Sequence, residues 1–357
     1  MDDRIKKHAE ILAYWSTDIE EDDNVVIVGN PEAHELFVAL HEEVGKRGAF
    51  PTTIYTSNEM NRTYLKNFEG EFKTPEHTLN LYENADVVIF VKSDPNEKAM
   101  NDVPGEVISE YSKSRKPISD LLQEKKSSIT AFPTNAAAQL ADMSLSEYRD
   151  FVWNAVIRDW KEVHEKQQIL KEKLDEADEV HIEGPETDLT MSIKGNIGVN
   201  SDGKHNLPSG EVYTAPIPDS VNGKIMFDKP LMYMGREIQG VRLKFEDGVV
   251  GEHSAEMNEE LLSDLLDTDE GARKLGELGI GTNRDIKTFT RNMLFDEKMG
   301  DTIHLALGRA INRSIGEDGE GNESAIHMDI IKDMSEGTLK LDDEIVMENG
   351  KFIWEMD

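Results

Sequence analysis

Two hydrophobic periods divide this chain. Through the first 143 residues, short apolar runs of strand length alternate with helical patterns. The runs are Val25–Gly29, Thr52–Thr56, Ala85–Val91 and Ser127–Thr134. Between them, Ile5, Ala9, Leu12 and Ile19 fall on one stripe of a helix predicted over residues 2–20. A second helix is predicted over 32–47, ending at Gly48, and NAAAQLADM supplies another. Strands that alternate with helices pair in parallel, so residues 1–143 are expected to form an open, Rossmann-like α/β domain. In residues 144–177, Trp153, Val156, Trp160, Val163 and Leu170 recur at helical spacing, with Ser144 and Glu147 placed as a capping box. That segment reads as one long connecting helix.

From Asp178 the texture changes. EVHIEG, TDLTMSIKG, KIMFDKPLMYMG, REIQGVRLKFEDG and VVGEHSA are short alternating runs broken by Gly and Asp. They predict an α+β domain over 178–357, rich in antiparallel strands, with a helix at 257–275 and a closing hairpin turning at Asn349-Gly350. The strand-ending Gly29 is followed by neither a GxGxxG nor a GxxxxGK[ST] pattern, so its use is expected to be structural and no dinucleotide is predicted.

Composition removes several classes of function. A net charge of −33 argues against nucleic acid and anionic membranes as partners, since both require a basic surface. The acid is spread along the whole chain, which suits surface solvation of the kind found in proteins adapted to salt, although 26 lysines against 13 arginines show that lysine has not been stripped away. No apolar run reaches the roughly 20 residues that span a bilayer, and MDDRIKKHAEILAYW reads as an amphipathic helix rather than a signal segment, so a cytoplasmic protein is expected. There is no cysteine, so any metal must be held by His, Asp and Glu.

Those residue types converge between 277 and 329. The segment brings Glu277, Glu297, His304, His327 and Asp329 together among glycines and small residues, and Glu211 in NLPSGEVYTAP lies upstream. Imidazole suits zinc and cobalt, and carboxylates can bridge two cations. His327 and Asp329 are two apart, so on a strand both leave the same face. Each alone has a bland reading: a solvated Glu211, a core His304, a capping Glu277, a surface pair at 327 and 329. The His-Glu-x-x-His helix and the Gly-x-Ser-x-Gly elbow are both missing, which leaves metal-assisted hydrolysis.

NLPSGEVYTAP, RKLGELGIGTN, FDEKMGDTIHLALG and NESAIHMD together resemble the thermophilic metallo-aminopeptidase family, of the aminopeptidase T and S type. The resemblance is strong over residues 180–357 and one of pattern only before that. It implies a homodimeric exopeptidase that removes N-terminal residues from peptides with a free amine, using two divalent ions per subunit: zinc, cobalt or manganese. Carried over by motif, Glu211 bridges the ions, Glu277 and Glu297 complete one shell, and His304, His327 and Asp329 surround the pair. Glu277 is the candidate proton shuttle. Two departures stand out. Ile311 occupies the place of a tyrosine thought to be catalytic in the family, and its side chain can donate no hydrogen bond to an oxyanion. Tyr213, two residues past Glu211, is the candidate substitute. Glu186 stands where the family has glycine, altering a turn or adding charge. An inactive relative that binds metal or peptide, and an amidohydrolase acting on a small acyl-amino substrate, are the rival readings.

Overall fold

The computed structural model describes residues 1–233 and 236–356. The chain forms a mixed α/β structure in two compact units, one of residues 1–160 with 203–209, the other of 161–202 with 210–357.

In the first unit, strands Asn24–Gly29, Phe50–Tyr55, Val87–Lys92, Lys126–Ala131 and Asn206–Leu207 form one parallel sheet. Their spatial order places 24–29 between 50–55 and 87–92, followed by 126–131 and 206–207. Gly29 lies against the neighbouring strand, where a Cβ would come within 2.6 Å of the Val91 carbonyl oxygen, so close backbone approach accounts for the glycine. The amino-terminal helix is shorter than predicted, Asp3–Ile11, and continues as a π-turn over Leu12–Ser16. The polar stretch after Thr56 holds two helices, Asn58–Asn67 and Glu76–Glu83, and a third, Gly105–Glu124, follows the strand Val87–Lys92. The last of these escapes the sequence pattern because Pro117 sits inside it and only Ile118 is fully buried.

His8 is sealed inside this unit. Its Nε2–H donates to Thr130 Oγ1 at 2.7 Å, whose own hydroxyl donates to the Leu207 carbonyl, and Nδ1 has no partner. Burial drives its pKa from 6.5 down to about 3. Below pH 6.5 the unfolded chain therefore takes up a proton that the folded chain refuses. Stability, complete above that pH, falls by about 1.4 kcal/mol per pH unit until the folded value is reached. Urea unfolding at pH 7.5 and pH 5 is expected to differ by about 2 kcal/mol from this group alone, and His8→Gln should remove that difference. An equal acid loss in the variant would contradict it.

Residues 144–177 form two helices rather than one, Leu145–Val156 and Trp160–Glu176. The Ser144–Glu147 capping box is present, but Ile157 leaves the helical region, and the Trp160 indole donates to the Val156 carbonyl at 2.9 Å, closing the first helix's end. The second unit contains an eight-stranded antiparallel sheet and a five-stranded one. The five-stranded sheet has its strands in the order His327–Asp333, Thr302–Gly308, Leu275–Gly281, Glu211–Thr214 and Val199–Ser201. The predicted 257–275 helix is a shorter helix, Glu259–Leu266, and a 3-10 turn, Glu270–Arg273. The closing turn has both Asn349 and Gly350 at positive φ, 50° and 75°, as a two-residue hairpin needs. Glu186 also sits at φ 50°, a left-handed position that favours glycine, and its carboxylate pairs with Arg242 at 3.0 Å.

Candidate metal centre

The five-stranded sheet is buried along both faces of its central strands, and period-two alternation sorts its side chains. Leu278, Ile280, Ile303, Leu305, Leu307 and Ile330 point into the core. The opposite face carries Glu211 and Tyr213 on one strand, Glu277, Gly279 and Gly281 on the next, His304 and Ala306 on the third, and His327 and Asp329 on the fourth. Register brings them level. Glu277 and Asp329 both stand opposite Ala306, and Tyr213 and His304 both stand opposite Gly279. The small residues leave the space that the long ones fill. A Cβ on Gly279 would lie 2.0 Å from His304 Cε1.

The result is a compact cluster of acids and imidazoles. His304 Nε2 lies 3.3 Å from Glu277 Oε1, 3.6 Å from Glu211 Oε2 and 4.0 Å from Asp329 Oδ1. His327 Nε2 lies 3.4 Å from Asp329 Oδ1 and 3.7 Å from Glu277 Oε2. Both rings are held from behind by main chain. His304 Nδ1–H donates to the Glu297 carbonyl at 3.1 Å, and His327 Nδ1–H to the Arg309 carbonyl at 2.7 Å. Those bonds fix the tautomer in the neutral rings and aim both Nε2 lone pairs at carboxylate oxygens. Lone pairs facing anions demand either a proton or a cation between them.

Electrostatics give the same answer. Burial opposes a charge on His304, but the Glu277 hydrogen bond and the charges of Glu211, Asp329 and Glu277 prevail and push it up to about 10. His327 is raised to about 9 against burial, by Asp329 and Glu277. Burial lifts Glu211 to about 7, with Lys298 opposing, and raises Glu277 as well. Asp329 is held at about 2 against burial by the two histidines and Lys298.

The donor set suits a divalent cation. Glu277, His304 and Asp329 each offer an atom within 4.8 Å of the others. A four-coordinate ion with bonds of about 2.0–2.2 Å would space its ligand atoms by roughly 3.3–3.6 Å, close to the separations present here. Glu211 Oε2, Glu277 Oε2 and Asp329 Oδ1 are buried without hydrogen-bond partners, an expensive arrangement that a cation would relieve. Glu297 joins the cluster through Lys298 rather than directly. Its Oε1 pairs with the Lys298 ammonium, which also lies 3.5 Å from Glu211 Oε1.

A scan against family models matches the thermophilic metalloprotease family, M29, over residues 1–352. The chain belongs to that family. Its M29 membership makes it a peptide-bond hydrolase. It is 28% identical to aminopeptidase T of Thermus aquaticus, with 98% of this chain and 96% of that protein aligned. It is 31% identical to aminopeptidase 2 of Geobacillus stearothermophilus over 63% of this chain and 62% of that one. Among solved structures, wild-type AmpT from Thermus thermophilus superposes with a TM-score of 0.85 at 26% identity, covering 98% of this chain and 99% of the other. Among the described residues of this M29 protein, no helix is long and apolar enough to cross a membrane.

Three residues near the site carried no sequence signal. Lys298, fully buried, reads in FDEKMG as half of an ordinary surface pair. Gln167, on the Trp160–Glu176 helix, donates from Nε2 to the Glu211 carbonyl at 3.0 Å and contacts Thr282 Oγ1 at 2.9 Å. Arg313 lies close enough to Tyr213 for its charge to act on the phenol.

Proposed function

We propose that this protein is a metal-dependent aminopeptidase that releases N-terminal residues from peptides with a free amine. The observation that carries the reading is the set of buried, unpartnered carboxylate oxygens facing two histidines whose Nε2 atoms are turned toward them. Glu277, His304, His327 and Asp329 would hold one divalent ion, and Glu211 and Glu297 would contribute to a second. When bound, such ions polarise a scissile carbonyl and make water a nucleophile near neutral pH. The remaining work belongs to the chain. Glu277, in contact with both histidines, is placed to take the proton from the attacking water and return it to the leaving amine. The main-chain bonds behind His304 and His327 hold the rings in one orientation through that exchange. Burial keeps bulk water from competing.

Tyr213 is proposed to take over the hydrogen bond that Ile311 cannot make. Burial first, then the charges of Glu277 and Glu211, raise its pKa, with Arg313 opposing, so the hydroxyl stays protonated and available as a donor. Ile311 itself is half-buried two residues beyond Arg309, whose carbonyl holds His327. Tyr213→Phe is expected to lower kcat by about 100-fold with metal content unchanged, the usual cost of one oxyanion donor. An unchanged kcat would remove Tyr213 from the mechanism.

Ile311 also favours a second reading, a relative that binds metal or peptide without turnover. A panel of aminoacyl amides, free and N-blocked, separates the possibilities when run in high salt with zinc, cobalt or manganese, against a chelated control and Glu211→Gln. Turnover of free-amine substrates alone, lost with chelator and in the variant, supports the aminopeptidase. Turnover of blocked amides alone supports an amidohydrolase. Folded protein without turnover supports the binding relative. A homodimer is part of the same proposal and is read by light scattering.

A further inference from the structure

The metal centre contains a cation of its own. Lys298 is fully buried, and its ammonium lies against Glu297 Oε1 and 3.5 Å from Glu211 Oε1. The backbone leaves it little freedom to withdraw. Its carbonyl accepts from Asn283 N at 3.0 Å, and its N–H donates to the Phe295 carbonyl at 3.1 Å. The carboxylates on the other side are partnered differently. Glu277 and Asp329 lie against His304 and His327, with one buried oxygen of each left without a hydrogen bond. The cluster is therefore lopsided: at one end the carboxylates meet imidazoles alone at close range, and at the other Glu211 and Glu297 each set one oxygen toward an ammonium, with Glu211 Oε2 left bare.

We propose that Lys298 makes the two divalent-cation positions unequal, with a tight one at Glu277, His304, His327 and Asp329 and a weak one at Glu211 and Glu297. The inference rests on the two-ion reading given above. A cation entering between Glu211 and Glu297 must share or displace the ammonium's oxygens and approach a fixed positive charge at low dielectric, which penalises the second ion more than the first. The first position has no ammonium against its oxygens and meets that charge only through space, at Asp329. Binding is then sequential: a single equivalent loads at low free metal, and the second loads only when metal is abundant.

The test is calorimetric titration of the metal-free full chain with Mn²⁺ or Co²⁺, with the Co²⁺ visible spectrum as an independent report on each step. The wild type should show two steps separated by at least 10-fold in affinity. Lys298→Met should tighten the second step by at least 10-fold and leave the first within a few-fold, whereas Lys298→Arg, which retains the charge, should keep the separation. Two equal steps in the wild type, or a second step indifferent to Lys298→Met, would overturn the inference while leaving the metalloenzyme intact. No binding by folded wild-type protein would overturn the two-ion reading and the inference with it. If Lys298→Met fails to fold, Lys298→Gln takes its place, and the wild-type titration still decides whether the steps are unequal.

Discussion

A single methyl group at position 279 is expected to reduce metal-dependent hydrolysis by at least about 100-fold, as a misplacement of roughly 1 Å does in a preorganised site. Gly279 stands across the strand pair from His304, and the added carbon would lie 2.0 Å from Cε1 and 2.1 Å from Nε2. The imidazole cannot yield by rotating freely, because its Nδ1 is bound to the Glu297 carbonyl. Either the ring leaves its position or the strands separate, and both spoil the face that Glu277 and Asp329 share with it. Overpacking of this kind costs about 1–3 kcal/mol in stability. Gly279→Ala should therefore fold, melt earlier and bind metal about 10–100-fold more weakly. Retention of full activity would mean that His304 does not occupy the working position seen here.

Glu277→Gln is expected to be nearly silent in structure and severe in function. The amide has the same shape but cannot take a proton from water, a loss of about 100- to 10,000-fold in kcat for a general base. Stability should move the other way. Burial holds the Glu277 carboxyl above its ordinary range, and Asp329 adds to that, more than His304 and His327 offset it. Removing one charge should leave the metal-free variant as stable as the wild type or more so, the trade between stability and function usual for a site of buried charges. Thermal melting in chelator, set beside kcat with saturating metal, reads both. A metal-free variant that melts well below the wild type would show that Glu277 has a structural role instead.

The contrast between these two residues explains what the sequence could and could not disclose. Glu277 draws attention in the sequence as an acid among glycines upstream of His304, His327 and Asp329, and the structure sets it against both histidines. Gly279 is visible as a glycine, but the reason for it lies in register: only the pairing of residues 275–281 with 302–308 sets it under an imidazole. Lys298 is the harder case. In one dimension Glu297-Lys298 is indistinguishable from any exposed acid–base pair on a strongly charged chain, and only tertiary burial turns it toward Glu211. The same limit applied to the fold. Alternating runs disclosed the parallel strands, since their periodicity is local. The Gly105–Glu124 helix, carrying an internal proline and almost no buried stripe, had no local signature, and the break after Val156 depends on where the Trp160 indole lands.

The ladder beneath the site has a consequence for how a divalent ion would be acquired. Glu211, Glu277, His304, His327 and Asp329 are spread over more than a hundred residues of chain, yet all stand on strands joined by main-chain hydrogen bonds that no ion takes part in. Small metal-dependent domains collapse only around their ion, so for them the ion is chosen during folding. Here the scaffold can be completed first, in whatever compartment synthesis occurs, and loaded later. Which element it took up would then reflect the local supply of competing ions when the finished cradle met them, rather than a choice made during folding.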